Sequence, residues 1–304
     1  MTMKRTAKGP VGRPGKSIDI IMEKMVSPVS SMPLWRWVLE LVGGLFLFIL
    51  LYGVAQGSSW IESLPLSIVV MLLSSAAIPA LFLVWSRLFE KAFPIDVLSC
   101  RPMCNLVSGM LIGFLFFIAF VGLMTLSGNC HMVFASPSWR GIIHGLVFYL
   151  LVACGEETIF RGILFRMFDE RFGLWWALVV SALLFGLIHI IQPNASVWSS
   201  VAIAVEAGIL LGVAYKYSGS LWMPIGIHWT WNFTQGNVFG FPVSGGTKEE
   251  SILRSTLNGP DLLTGGAFGP EASIISMALG IAISAVLLAL HFKKRPGCSV
   301  VTPE

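Results

Sequence analysis

The chain has 304 residues, 55% of them hydrophobic and only 12% charged, with a mean hydropathy of +0.80 and a formal net charge of +4. This balance excludes an ordinary water-soluble domain and places the protein in lipid. The positive charge is no sign of nucleic acid, because no basic face is interleaved with stacking aromatics.

The first 36 residues carry Lys4, Arg5, Lys8, Arg13, Lys16, Lys24 and Arg36 among several prolines, and they lack the apolar core of a cleaved signal peptide. Residues 1–36 therefore read as a basic, disordered tail. Crossing a hydrocarbon core takes roughly 20 apolar residues. Eight stretches approach that length: 37–56, 64–86, 105–126, 141–165, 174–191, 197–216, 221–237 and 273–292. Lipid requires each span to satisfy its own backbone, so the expected fold is all-α: a polytopic membrane helix bundle of about eight transmembrane helices. It forms one domain over 37–292, with a short tail at 293–304.

Lysine and arginine near span ends stay cytoplasmic. Arg87, Lys91 and Arg101 fall in the 87–104 loop, Arg166 and Arg171 in the 166–173 loop, Lys216 in the turn after span six, and Lys293, Lys294 and Arg295 at the C-terminus. All share the side of the basic tail, which predicts a multi-pass cell-membrane protein with both termini cytoplasmic. Trp35, Trp37, Trp60, Trp139 and Trp222 sit near span ends, where interfacial anchors belong. The five cysteines form no CxxC pair or disulfide framework, and Cys100 with Cys104 lacks two further ligands for a zinc site. Cys154 falls inside span four.

Span four is interrupted by Glu156, Glu157 and Arg161. Each ionised side chain at mid-membrane costs roughly 2.5–3.5 kcal/mol on insertion scales, so the three must be paired or face a wet cavity. Glu157 and Arg161 lie on one helical stripe in the favourable order for an ion pair, while Glu156 is turned aside and left free. A buried pair alone would serve only packing; a second, unpaired carboxylate beside it points to a site. In span five, Phe185 lies one turn from His189 and can pack on its ring. In span seven, His228 and Asn232 share a face. Together these residues supply a base, two imidazoles and a hydrogen-bond donor, which is what peptide hydrolysis by an activated water needs.

Glu-Glu-x-x-x-Arg at 156–161, Phe-x-x-x-His at 185–189 and His-x-x-x-Asn at 228–232, with the lead-in from Ala207 to His228, resemble the CPBP intramembrane proteases. That family joins the type II CAAX prenyl endopeptidases with bacterial Abi proteins, some of them linked to bacteriocin self-immunity. The resemblance covers about 140–236, making spans four to seven the catalytic core and the other spans packing. It implies that Glu156 activates water, that Glu157 and Arg161 support it, and that His189, His228 and Asn232 complete the centre. The substrate would be a peptide or membrane protein, prenylated if the host prenylates proteins. One departure is Glu206, where the family more often carries an apolar or aromatic residue; it either lines the cavity or pairs with a neighbour.

The preferred reading requires no cofactor. The alternative is one divalent metal, zinc, on His189, His228 and Glu156, which would make Glu156 a ligand rather than the base; members of the family are often labelled metalloproteases. A second functional class also stands: a non-catalytic immunity or scaffold protein that binds a peptide through the same polar cluster. A proton-coupled transporter would show an inverted repeat, and none is found. Depth sets a condition on all of this. Counted from the cytoplasmic span ends, Glu156 lies roughly 14 Å in and His228 roughly 11 Å, but His189 roughly 22 Å, so tilt or a later start of span five is needed for convergence. The other histidines, His131, His144 and His291, have no assigned chemistry. Gly208 and Gly212 suggest a close helix contact. The Gly- and Pro-rich 238–272 segment is a candidate lid over the external face.

Overall fold

A computed structural model of the chain describes residues 29–91, 96–99, 101–248 and 250–293. Most of the basic tail, Cys100 and residues 294–304 lie outside them. The helices are α1 (Leu34–Gln56), α2 (Leu64–Trp85), a short α3 (Asp96–Ser99), α4 (Pro102–Leu126), α5 (Trp139–Glu157), α6 (Arg166–Phe172), α7 (Leu174–Ile188), α8 (Val197–Ile203), α9 (Ile209–Ser218), α10 (Trp222–Phe233), a short α11 (Asp261–Thr264) and α12 (Ile274–Lys293). π-Helical turns join α5 to α6 (Thr158–Phe165) and α8 to α9 (Ala204–Gly208), and two more extend α2 (Ser86–Glu90) and α10 (Thr234–Val238).

Among the described residues, seven helices are long and apolar enough to cross a membrane, from Leu34–Trp60 to Ile274–Lys293. Six of them correspond to predicted spans one to six, and the last to span eight. Span seven differs. Its helix, Trp222 to Val238 with the π turn, falls short of membrane length and is a buried strut in the bundle rather than a lipid-facing span. Span four is longer than expected, a continuous Trp139–Phe172 helix of 34 residues, so the 166–173 loop is helical. The α1 helix starts at Leu34, and Val29 and Met32 are already buried, so the tail boundary falls before residue 36.

Two strands, β1 (Cys130–Phe134) and β2 (Leu253–Leu257), pair antiparallel with Cys130 opposite Leu257. This ribbon is the one departure from an all-helical reading among the described residues, and it lies outside the spans.

Glycines set the tightest packing. A Cβ at Gly113 would overlap the Ile227 carbonyl oxygen, and one at Gly226 would overlap that of Leu106, so α4 and α10 touch backbone to backbone. Small residues let membrane helices approach this closely. Gly208 plays the expected part: its Cβ would stand 2.8 Å from Ala182 Cα on α7. Trp35, Trp60 and Trp139 are exposed near helix ends, as anchors should be. Trp37 is instead buried, edge-on to Phe168 and Phe172, and the Trp222 indole donates to Leu98 O.

Candidate functional site

Three of the four π turns occur in helices that surround the polar cluster. Such turns shift the register of a helix and often accompany functional sites. Glu156 and Glu157 end α5 where the π turn begins. Arg161 Nη1 donates to Glu157 Oε1 at 2.9 Å, with both side chains fully buried. The Glu157–Arg161 pairing read from the spacing is therefore present. Arg161 Nη2 reaches the Gly208 carbonyl of the neighbouring π turn at 3.1 Å, and the guanidinium lies 4.7 Å from the Phe185 ring centroid.

The same Glu157 Oε1 accepts from His228 Nδ1 at 2.8 Å. A carboxylate on Nδ1 fixes the tautomer and leaves Nε2 for the site. His189 is arranged likewise, its Nδ1 donating to Phe185 O at 2.6 Å. Phe185 packs on both imidazoles, 4.9 Å from His189 and 6.2 Å from His228 between ring centroids. It therefore does more than hold His189.

His189, His228 and Asn232 line one cavity of about 20 Å³, room for about one water molecule. The depth condition is met, because α5 runs on through α6. Measured from Phe172, Glu156 is roughly 24 Å along its helix, close to the roughly 22 Å of His189. The α10 helix starts where Leu221 N donates to Val97 O, and His228 on it meets Glu157 directly.

Glu156 is only partly buried. Its Oε1 accepts from the Tyr52 hydroxyl at 3.1 Å, and its Oε2 stands 4.0 Å from His228 Nε2 without a hydrogen-bond partner among the described residues. Tyr52 comes from α1, so span one does more than pack. Its ring covers Gly155, where a Cβ would overlap it.

Two further residues of the cavity wall, Ser244 and Glu271, come from the segment that closes the bundle after α10. The candidate lid thus reaches the site. Glu271 is buried, and its carboxylate accepts from Ser244 N at 2.5 Å and Ser244 Oγ at 3.2 Å. Burial pushes the Glu271 carboxyl up to about 7. No sequence spacing links Tyr52 or Glu271 to the cluster; a polar residue at a span end or in a Gly/Pro-rich segment was the only signal.

Glu206 meets neither expectation. It is fully buried against Gly280, does not line the cavity, and neither oxygen has a hydrogen-bond partner among the described residues. Cys104 is exposed and Cys154 buried, both free thiols. Among the described residues no three His, Cys, Asp or Glu side chains stand together as a metal-holding group.

Comparison with known proteins returns the same region. Residues 137–234 match the family model "Type II CAAX prenyl endopeptidase Rce1-like". The chain is 33% identical over 91 residues to "Uncharacterized protein YpbD" of Bacillus subtilis (strain 168), covering 30% of this chain and 43% of that protein. It is 29% identical over 99 residues to "Uncharacterized 24.3 kDa protein" of Escherichia coli, covering 32% of this chain and 44% of the other. The chain thus spans less than half the length of these curated relatives. No solved structure matches it at a significant level. The protein is a multi-pass membrane protein whose residues 137–234, which hold Glu156, Glu157, Arg161, His189, His228 and Asn232, are similar to the Rce1-like type II CAAX prenyl endopeptidases.

Proposed function

We propose that the protein is an intramembrane endopeptidase that hydrolyses a peptide bond with a glutamate-activated water. The carrying observation is the division of labour between adjacent carboxylates. Glu157 is fully buried, with Arg161 and His228 both bound to its Oε1, whereas Glu156 is partly exposed and keeps Oε2 unpartnered among the described residues beside the His228 imidazole. A base must be within reach of the water, and of the two carboxylates only Glu156 is not sealed in the protein interior. In this reading Glu156 takes a proton from the water as the oxygen adds to the scissile carbonyl. Asn232, with His228 held by Glu157, receives the developing oxyanion. The same proton then passes to the leaving nitrogen as the C–N bond breaks.

The substrate class is a membrane-embedded peptide bearing an isoprenoid, in a host that prenylates proteins. In support, an apolar groove of about 440 Å³ runs between α7, α9 and α12. A lining apolar but for Ser284 suits a hydrocarbon chain.

The test is turnover of a membrane-peptide library, farnesylated and unmodified, by purified protein in detergent. Glu156→Gln is expected to lose at least about 100-fold in kcat, and wild type dialysed against a chelator to keep its rate. Loss of activity on chelation, restored by zinc, would replace water activation by Glu156 with the metal mechanism. A folded wild type that cleaves no peptide would favour the non-catalytic peptide-binding reading.

A further inference from the structure

The cavity beside the two imidazoles is the size of one water molecule, and its polar lining is His189, His228, Asn232, Ser244 and Glu271. A buried water needs two to four polar partners, and this wall offers them. Glu156 borders that wall through His228, its Oε2 4.0 Å from Nε2. The carboxylate that faces the space is Glu271, which lies outside the family-matched residues.

Glu271 is placed with little freedom. Two donors of Ser244 hold its two oxygens. Ser244 itself has φ +48°, a left-handed conformation uncommon for a side-chain-bearing residue. The surroundings enforce it: Gly245 N donates to Phe268 O at 2.9 Å, and Asn194 Nδ2 donates to Gly245 O at 3.0 Å. A strained backbone persists only where neighbours over-determine it. An ionised carboxylate has about four acceptor positions. Ser244 occupies two and the Gln235 side chain a third, which leaves one for the cavity.

We propose that Glu271 is a further catalytic residue, which holds the hydrolytic water in this cavity by accepting a hydrogen bond from one of its O–H groups. The proposal rests on the hydrolase reading above. One proton of the water goes to Glu156 as the oxygen bonds to the carbonyl carbon. The other O–H stays on Glu271 until the intermediate collapses, the C–N bond breaks and Glu156 returns its proton to the amine. Glu271 gains and loses no proton; its part is to orient the nucleophile.

The experiment measures kcat and KM on a farnesylated fluorogenic peptide for wild type, Glu271→Gln and Glu271→Asp. It is paired with a high-resolution structure of the Glu156→Gln protein. A kcat lower by roughly 10-fold or more with KM within about two-fold is expected for both variants, together with an ordered water in hydrogen-bond contact with Glu271. Unchanged kcat in an active enzyme, a loss confined to KM, or a structure with no water on Glu271 overturns the proposal and leaves the hydrolase reading intact. Inactivity of wild type itself overturns the hydrolase reading, and this proposal with it. The structure decides the matter even if both Glu271 variants fail to fold.

Discussion

Glu156 and Glu157 are neighbours in the chain, and the helix sends them to different partners. Glu157 points inward to Arg161 and His228, and Glu156 points toward α1 and Tyr52. Tyr52 is therefore a positioning residue for the proposed base. A hydrogen bond to a charged group is worth roughly 1.5–3 kcal/mol. Tyr52→Phe, which keeps the ring over Gly155, is thus expected to lower kcat about 10- to 100-fold with KM little changed; an unaltered kcat would remove Tyr52 from the mechanism. The buried Glu157–Arg161 pair calls for a different measurement. Removing one partner of such a pair costs roughly 3–5 kcal/mol because the other charge is left uncompensated. Arg161→Met should lower the melting temperature in detergent far more than the double change Glu157→Gln with Arg161→Met. The pair itself was legible in the four-residue spacing, but Tyr52 was not, because a hydrogen bond between residues 104 apart leaves no periodicity to read.

At the scale of elements, the site depends on helices that carry none of its catalytic side chains. The α10 helix that carries His228 and Asn232 is held by backbone contact with α4 at Gly109, Gly113 and Gly226. Gly113→Ala would put a methyl group into the Ile227 carbonyl, and such overpacking typically costs about 1–3 kcal/mol. The expected outcome is reduced thermal stability in detergent with loss of activity at every substrate concentration, while Gly122→Ala, whose Cβ meets open space on the same helix, leaves both unchanged. Periodicity and hydropathy placed nearly all of these helices correctly. They misjudged two. The fourth was read too short because Arg166, Asp169, Glu170 and Arg171 look like loop charges, whereas Arg166 pairs with Glu90 at 2.6 Å and Lys216 with Asp169 at 2.6 Å, which lets the helix continue. The seventh was read as a full span because burial in protein and burial in lipid select the same apolar residues.

For the whole molecule, seven membrane-length helices and one buried strut leave the orientation to experiment. The loop charges argue for cytoplasmic termini, which requires α10 and the turns around it to complete the eighth passage. In a variant with Cys100 and Cys298 replaced by serine, Cys104 is expected to react with an impermeant maleimide only after permeabilisation. A His131→Cys substitution, on β1, should label from outside in intact cells; the reverse pattern would invert the topology. The sequence by itself determined the solvent of this protein, the helical class and the six residues of the polar cluster. Those follow from composition and from spacings within single helices, where each residue's face is set by local geometry. Only the tertiary structure decided how those residues meet, that Tyr52 reaches Glu156, and that Ser244 and Glu271 close the cavity. These contacts join segments far apart in the chain, and their distances are set by packing between helices, which no local pattern encodes.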